Sequence, residues 1–192
     1  MNTKVKINKE ETLSNNWYTL RKYVFDYQKA DGSWETQERE AYDRGNGAAI
    51  LLYNQARGTV ILTRQFRMPT YVNGNPSGML IEVCAGLLDE DNAEDCIRRE
   101  TEEETGYKIK DVQKVFEAYM SPGSVTEVLH FFVAAYTKEM KVNEGGGLEE
   151  EHENIEVIEM PFEDAYAMIQ KREIKDAKTI MLLQYAKLNG LC

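Results

Sequence analysis

Polar and apolar residues alternate along the first forty positions of the chain. Trp17-Tyr-Thr-Leu-Arg-Lys-Tyr-Val-Phe-Asp-Tyr27 leads into an Asp31-Gly32 turn and then Ser33–Tyr42, a pattern that predicts a β-hairpin. Asp43-Arg-Gly-Asn-Gly47 interrupts the alternation. Apolar strands are predicted at Ala48–Tyr53 and Val60–Phe66, around an Ala56-Arg-Gly58 turn. Turn formers crowd Arg67–Gly78, and a short strand, Met79–Val83, leads through Ala85-Gly86 into an acidic loop. Further strands are predicted at Val115–Tyr119, Val128–Tyr136 and Ile155–Met160, and helices at Phe162–Lys171 and Asp176–Leu188. Many strands with few helices predict an α+β sandwich, with mixed sheets between helices.

The segment after Asn92 breaks the ordinary pattern of a helix. With Asn92 as N-cap and about 100° per residue, Ala93, Cys96 and Ile97 fall on one stripe. Glu100, Glu103 and Glu104 continue it, and Glu94, Asp95, Arg98 and Glu102 take the opposite face. Spacings of three and four make the three glutamates neighbours. On an inward face they repel one another and lose hydration unless a cation joins them. An all-oxygen set favours a hard ion, Mg²⁺ or Mn²⁺. The other reading is a solvated acidic face, the usual fate of glutamate runs on helices. Spacing leaves both open.

At 192 residues, with 42% hydrophobic side chains, the chain can build a proper core. A net charge of −10 argues against a nucleic-acid partner, since no basic stripe meets a phosphate backbone. A small phosphorylated substrate is not excluded, because local arginines and a metal override the global field. Cys84, Cys96 and Cys192 have no framework spacing. The start of the chain lacks an apolar signal core, and no run reaches membrane-spanning length. A cytoplasmic protein with no membrane partner is expected. Cys84 and Cys96 read as small core residues. His130, within Val-Leu-His-Phe-Phe, reads as a packed strand residue, so a histidine-based triad has little support.

Gly86, Asp91 and Arg99-Glu-Thr-Glu-Glu-Glu-Thr-Gly-Tyr107 resemble the signature of the Nudix hydrolases, G-x5-E-x7-R-E-U-x-E-E-x-G-U. The loop is one residue short, so Asp91 fills the acidic position, and Thr101 stands at an apolar one. The resemblance implies the Nudix fold and Mg²⁺ (or Mn²⁺) held by Glu100, Glu103, Glu104 and the Ala85 carbonyl. Arg99 can pair with Glu103 one turn on, holding that carboxylate in place. Gly86, lacking a Cβ, lets backbone approach phosphates. A metal-activated water would then split a phosphoanhydride.

Outside that signature, Arg64-Gln-Phe-Arg67, Cys84-Ala-Gly-Leu-Leu88 and Ser121-Pro-Gly123 are similar to the ADP-ribose and nucleotide-sugar pyrophosphatase branch. Pro122 follows Gly106 by sixteen residues, a spacing of that branch. The longest resemblance, about Leu13–Tyr185, is to the GDP-mannose pyrophosphatase (NudK-like) type. It is carried by Arg39-Glu40, Tyr42-Asp-Arg-Gly-Asn-Gly-Ala48, Thr70-Tyr-Val-Asn-Gly-Asn75, Tyr119-Met-Ser-Pro-Gly123 and Asp176-Ala-Lys-Thr179. Ala177 replaces a glycine of that type, and the acidic loop is slightly longer.

This implies a hairpin at 1–42 used in a homodimer with a shared active site, and a Nudix domain at 43–192. The substrate would be a nucleotide sugar, most simply GDP-mannose, split to GMP and mannose 1-phosphate. The alternatives are ADP-ribose, giving AMP and ribose 5-phosphate, or a non-catalytic nucleotide sensor. By the same resemblance Trp17, Glu38, Arg39 and Glu40 contact the neighbouring subunit's substrate. Ala85, Gly86, Leu87, Glu104, Lys178 and Thr179 line the site, and Glu127 lies beside the metals. Arg67 offers a planar donor fork for phosphate, or is a plain strand-end arginine. The loop after Gly145-Gly-Gly147, suited to a hinge, carries a late glutamate that binds metal or activates water. Glu151 is the choice, with Glu149 and Glu150 as alternatives. Glu103 and Glu151 are the candidate catalytic bases.

Overall fold

The structure is a computed structural model; it describes residues 4–88, 92–148, 150 and 153–192. The chain divides into two compact units, Met1–Asn46 with Tyr119–Val128, and Gly47–Ala118 with Leu129–Cys192.

The first unit is an antiparallel sheet of three strands in the order β1 (Val5–Asn15), β2 (Thr19–Gln28), β3 (Trp34–Asp43). The predicted hairpin is β2–β3, with Trp34 opposite Gln28 and Gly32 at φ 85° in the turn. β1 is an addition to the sequence reading. Its alternation is broken by register shifts between Ile7 and Lys9 and between Thr12 and Ser14, so no clean two-residue period survives. The 119–128 segment joins β3 through Tyr42, whose N–H donates to the Ser124 carbonyl at 2.7 Å. None of the described residues of this unit is buried.

The second unit is built on a seven-stranded mixed sheet. Its path is β10 (Glu156–Pro161), β5 (Thr59–Phe66), β4 (Gly47–Asn54), β9 (Val128–Ala135), β8 (Gln113–Tyr119). β4 runs parallel to β9, and β5 antiparallel to β4 and β10. β4 reads Gly-Ala-Ala-Ile-Leu-Leu without alternation because both its faces are buried. Ile50 and Leu52 pack with Phe132, Ala134 and Ile97 of α2 (Ala93–Thr105). On the β8–β9 side, Phe116 packs on Phe131 and on Tyr185 of α4 (Ala177–Asn189). α3 (Phe162–Gln170) follows β10 and buries Phe162 and Ala165.

The turn-rich 67–78 segment contains a five-residue helix, α1 (Met68–Val72), opened by Pro69. The predicted strand 79–83 is two strands. β6 (Met79–Glu82) pairs with β5, and β7 (Cys84–Leu87) crosses to pair with β4, Ala85 opposite Ala49. The change of partner takes the N–H of buried Val83 out of both ladders. Thr179, at the start of α4, accepts it on Oγ1 at 2.8 Å, and that hydroxyl donates to Asp176 at 2.6 Å. Asp176 is also the N-cap of α4, accepting the Thr179 N–H at 3.0 Å. One carboxylate therefore starts a helix and fixes the crossing point of two strands.

Thr179→Val, nearly isosteric, strands the buried Val83 donor. It should lower unfolding free energy by about 1–3 kcal/mol in urea titration, at unchanged m-value.

Candidate active site

α2 begins where expected. Asn92 Oδ1 accepts from the N–H groups of Glu94 (3.1 Å) and Asp95 (3.0 Å). The helix ends on Gly106 at φ 79°, whose N–H bonds the Glu102 carbonyl. Its buried stripe differs from the predicted one: Cys96, Ile97, Thr101, Glu104 and Thr105 face the core. Glu100 and Glu103 lie along the edge of that stripe, partly exposed. The difference has a local cause. Thr101 and Thr105 satisfy their hydroxyls on the carbonyls of Ile97 (2.6 Å) and Thr101 (2.5 Å), so both can occupy the core like apolar residues. This also explains how Thr101 serves at the signature's apolar position.

Glu104 is 2% exposed, and its Oε2 has no hydrogen-bond partner among the described residues. Burial pushes its carboxyl up to about 8, against hydrogen bonding from the Cys84 thiol and with added repulsion from Glu100 and Glu153. Burial likewise pushes the Cys84 thiol up. Cys84 is a core residue as expected, and it also lies against this carboxylate. Arg99 Nη1 lies 2.9 Å from Glu100 Oε1 and 3.2 Å from Glu103 Oε2. No group of three or more Asp, Glu, His or Cys side chains among the described residues is set to grip an ion. A buried carboxylate oxygen without a partner among the described residues, acted on by the Glu100 and Glu153 carboxylates, nevertheless suits a hard cation.

Gly86 has a sharper role than backbone access. A Cβ there would stand 2.1 Å from Glu100 Cδ, so the glycine makes the space that the Glu100 carboxylate occupies. Leu87 follows, its carbonyl accepting from the Cys96 thiol at 3.0 Å. The Gly145–Gly147 run, expected as a hinge, also has a role at the end of α2. Its residues take φ values of 68°, 112° and 80°. The N–H groups of Gly146 and Gly147 bond the carbonyls of Glu104 (2.9 Å) and Glu103 (3.2 Å). The glycines therefore cap the last turn of α2.

Arg67 and Lys178 meet on a residue that sequence reasoning missed. Glu82, in an apolar run, is 1% exposed. Its Oε1 accepts from Arg67 Nε at 3.0 Å, and its Oε2 from Arg67 Nη2 at 2.9 Å and Lys178 Nζ at 2.7 Å. Lys178 also donates to Asp176 Oδ1 at 3.0 Å. Burial works to raise the Glu82 carboxyl, but the Arg67 bonds and the Lys178 charge prevail and hold it at about 2. The signal was present: a glutamate inside Met-Leu-Ile-Glu-Val needs cations to be buried. Thr179 is fully buried beneath this cluster, its hydroxyl taken up by Val83 and Asp176.

Other expected residues lie in the first unit. Trp17, in the β1–β2 turn, is 83% exposed. On β3, Glu38 pairs with Lys22 at 2.5 Å, the Arg39 guanidinium donates to the Glu38 carbonyl, and Glu40 stands opposite Lys22. Arg39 and Glu40 also line a cleft of about 620 Å³ with residues 122–126. Glu127 is 3.7 Å from Arg44 Nε. Glu150 is exposed. Asp91, Glu149 and Glu151 lie outside the described residues.

Residues 43–183 match the NUDIX domain family, and residues 4–42 match the family described as GDP-mannose pyrophosphatase NudK N-terminal domain. The chain is 60% identical to a GDP-mannose pyrophosphatase of Yersinia enterocolitica, over 100% of this chain and 99% of the relative. It is 58% identical to proteins of that name from Pectobacterium atrosepticum, over 99% and 97%, and from Yersinia pestis, over 98% and 94%.

Two glycine substitutions should separate the site from its frame. Gly86→Ala displaces only the Glu100 carboxylate, so activity should fall with little change in melting temperature. Gly106→Ala forces a positive φ on alanine and brings Cβ to 2.1 Å from the Asn143 carbonyl oxygen. It should cost about 1–3 kcal/mol of stability, read by thermal melting.

Proposed function

The chain belongs to the Nudix family, and on that premise we propose that it is a Mg²⁺-dependent nucleotide-sugar pyrophosphatase splitting GDP-mannose into GMP and mannose 1-phosphate. The observation that carries this reading is the buried Glu104 carboxylate, orphaned at Oε2 and flanked by Glu100. The names of the relatives, at 58–60% identity over almost the whole chain, support the substrate.

Glu100, Glu103, Glu104, Glu151 and the Ala85 carbonyl would hold Mg²⁺, and the same oxygen set suits Mn²⁺. Bound there, the ion neutralises diphosphate oxygens and acidifies a water. Arg67 and Lys178 bind phosphate oxygens, and Gly86 and Leu87 let the diphosphate lie against β7. Glu103 or Glu151 takes the proton from the attacking water. Glu127 and Glu150 border the substrate, and Thr179 supports Lys178 from below.

The protein acts as a homodimer in which Trp17, Glu38, Arg39 and Glu40 reach the neighbouring subunit's substrate. Support comes from a first unit without a buried residue among those described, with Val5 57%, Ile7 61% and Trp34 51% exposed. A three-stranded sheet in that condition needs a covering surface, and a second copy supplies a self-complementary one. We place the enzyme in the cytoplasm. Its three cysteines form no disulfide, and no helix among the described residues is long and apolar enough to cross a membrane.

A Mg²⁺-dependent assay over a panel of nucleoside diphosphate sugars, with products separated by chromatography, should give GMP from GDP-mannose as the dominant product. Preferential AMP from ADP-ribose contradicts the substrate, and binding without turnover leaves a sensor. Glu104→Gln should lower kcat on the order of a hundredfold.

In light scattering, Val5→Glu combined with Ile7→Glu should convert a dimer to monomers and raise KM. A wild-type monomer would refute the shared site.

A further inference from the structure

Arg67 leaves the end of β5, Lys178 stands in the first turn of α4, and Glu82 ends β6. Three elements thus meet on one carboxylate, and two cations share a single oxygen of it, Oε2, at 2.9 and 2.7 Å. Two cationic groups so close repel unless an anion lies between them. The carboxylate engages only part of each donor set. Arg67 gives it Nε–H and one Nη2–H, which leaves the Nη1–Nη2 edge turned away from Glu82 on a side chain 39% exposed. Lys178 gives one N–H to Glu82 and one to Asp176, which leaves a third. A buried ion cluster is a poor route to stability, since apolar residues of similar volume often serve as well or better. Stability alone therefore does not account for the cluster, and the free donors point to what the cations do on their other side.

We propose that Glu82 is the positioning residue of the phosphate site: it touches no substrate, but fixes the spacing of Arg67 and Lys178 and the plane of the guanidinium. The inference rests on the reading of Arg67 and Lys178 as phosphate ligands. Asp176 completes the arrangement by holding Lys178 from its own side, and through Thr179 it ties the pair to the strand crossing at Val83. An incoming diphosphate then meets a bidentate edge and an ammonium donor already set side by side.

The test uses the full-length protein and two readouts. In the first, inorganic pyrophosphate is titrated in the presence of Ca²⁺ by calorimetry. Glu82→Gln should weaken pyrophosphate binding by about tenfold or more. In an Arg67→Ala background the same substitution should weaken it less, because only the part of its effect that acts through Lys178 remains. In the second readout, steady-state kinetics with GDP-mannose, Glu82→Gln should raise KM strongly and change kcat little. Glu82→Asp keeps the charge but withdraws the carboxylate by one methylene. It should give an intermediate loss and serves as the test should Glu82→Gln melt below assay temperature. Unchanged pyrophosphate affinity, equal losses in both backgrounds, or a fall in kcat at constant KM would each overturn the proposal. Normal pyrophosphate behaviour with no turnover of GDP-mannose would overturn the substrate assignment and leave the role of Glu82 standing.

Discussion

Burying Glu104 in the core face of α2 is the constraint from which the rest of the active-site architecture follows. A carboxylate held out of water without a partner for one oxygen raises its own proton affinity and destabilises the helix that carries it. The fold tolerates it because that helix is secured elsewhere. Asn92 satisfies the first turn, glycine N–H groups satisfy the last, and the threonines between Ile97 and Gly106 satisfy themselves on the preceding turn. Among the described residues, Glu104 Oε2 is then left without a hydrogen-bond partner, beside Glu100, where a divalent cation would complete it.

The surroundings are arranged around that oxygen in two ways. The missing side chain of Gly86 gives Glu100 its place, so a strand of the sheet positions a carboxylate carried by a helix. A few residues earlier, the chain changes partner at Val83, and the same Asp176–Thr179 pair that starts α4 pins the change. Glu82, one residue before it, gathers Arg67 and Lys178. Opposite charges thus sit a few residues apart along one short run, β6–β7: cations organised at Glu82, the Glu100 carboxylate at Gly86. A diphosphate with its metal requires such a polarity.

Much of this was legible in residue order. Gly106 as helix terminator, Asn92 as cap, the apolar strands at 48–53 and 60–66 and the two last helices all follow from local chemistry, and the structure holds them there. What escaped was non-local. β1 hides behind two bulges, and β7 is four residues long with glycine inside. The buried stripe of α2 includes two threonines whose hydroxyls vanish into the helix, a possibility that a count of apolar residues does not register. Glu82 looked like an interruption of a strand because its two partners lie 15 and 96 positions away. The triple glycine also serves the end of α2 with its left-handed backbone, a non-local role that its composition does not announce.

A crystal structure grown with Mn²⁺ and a non-hydrolysable GDP-mannose analogue, with anomalous data at the manganese edge, would show whether Glu104 carries the metal. An anomalous peak should lie within coordination distance of Glu104 Oε2, shared with Glu100, with diphosphate oxygens between that peak and the Arg67–Lys178 pair. A nucleotide bound with no metal density at Glu104, or with Glu104 still without a ligand, would contradict it.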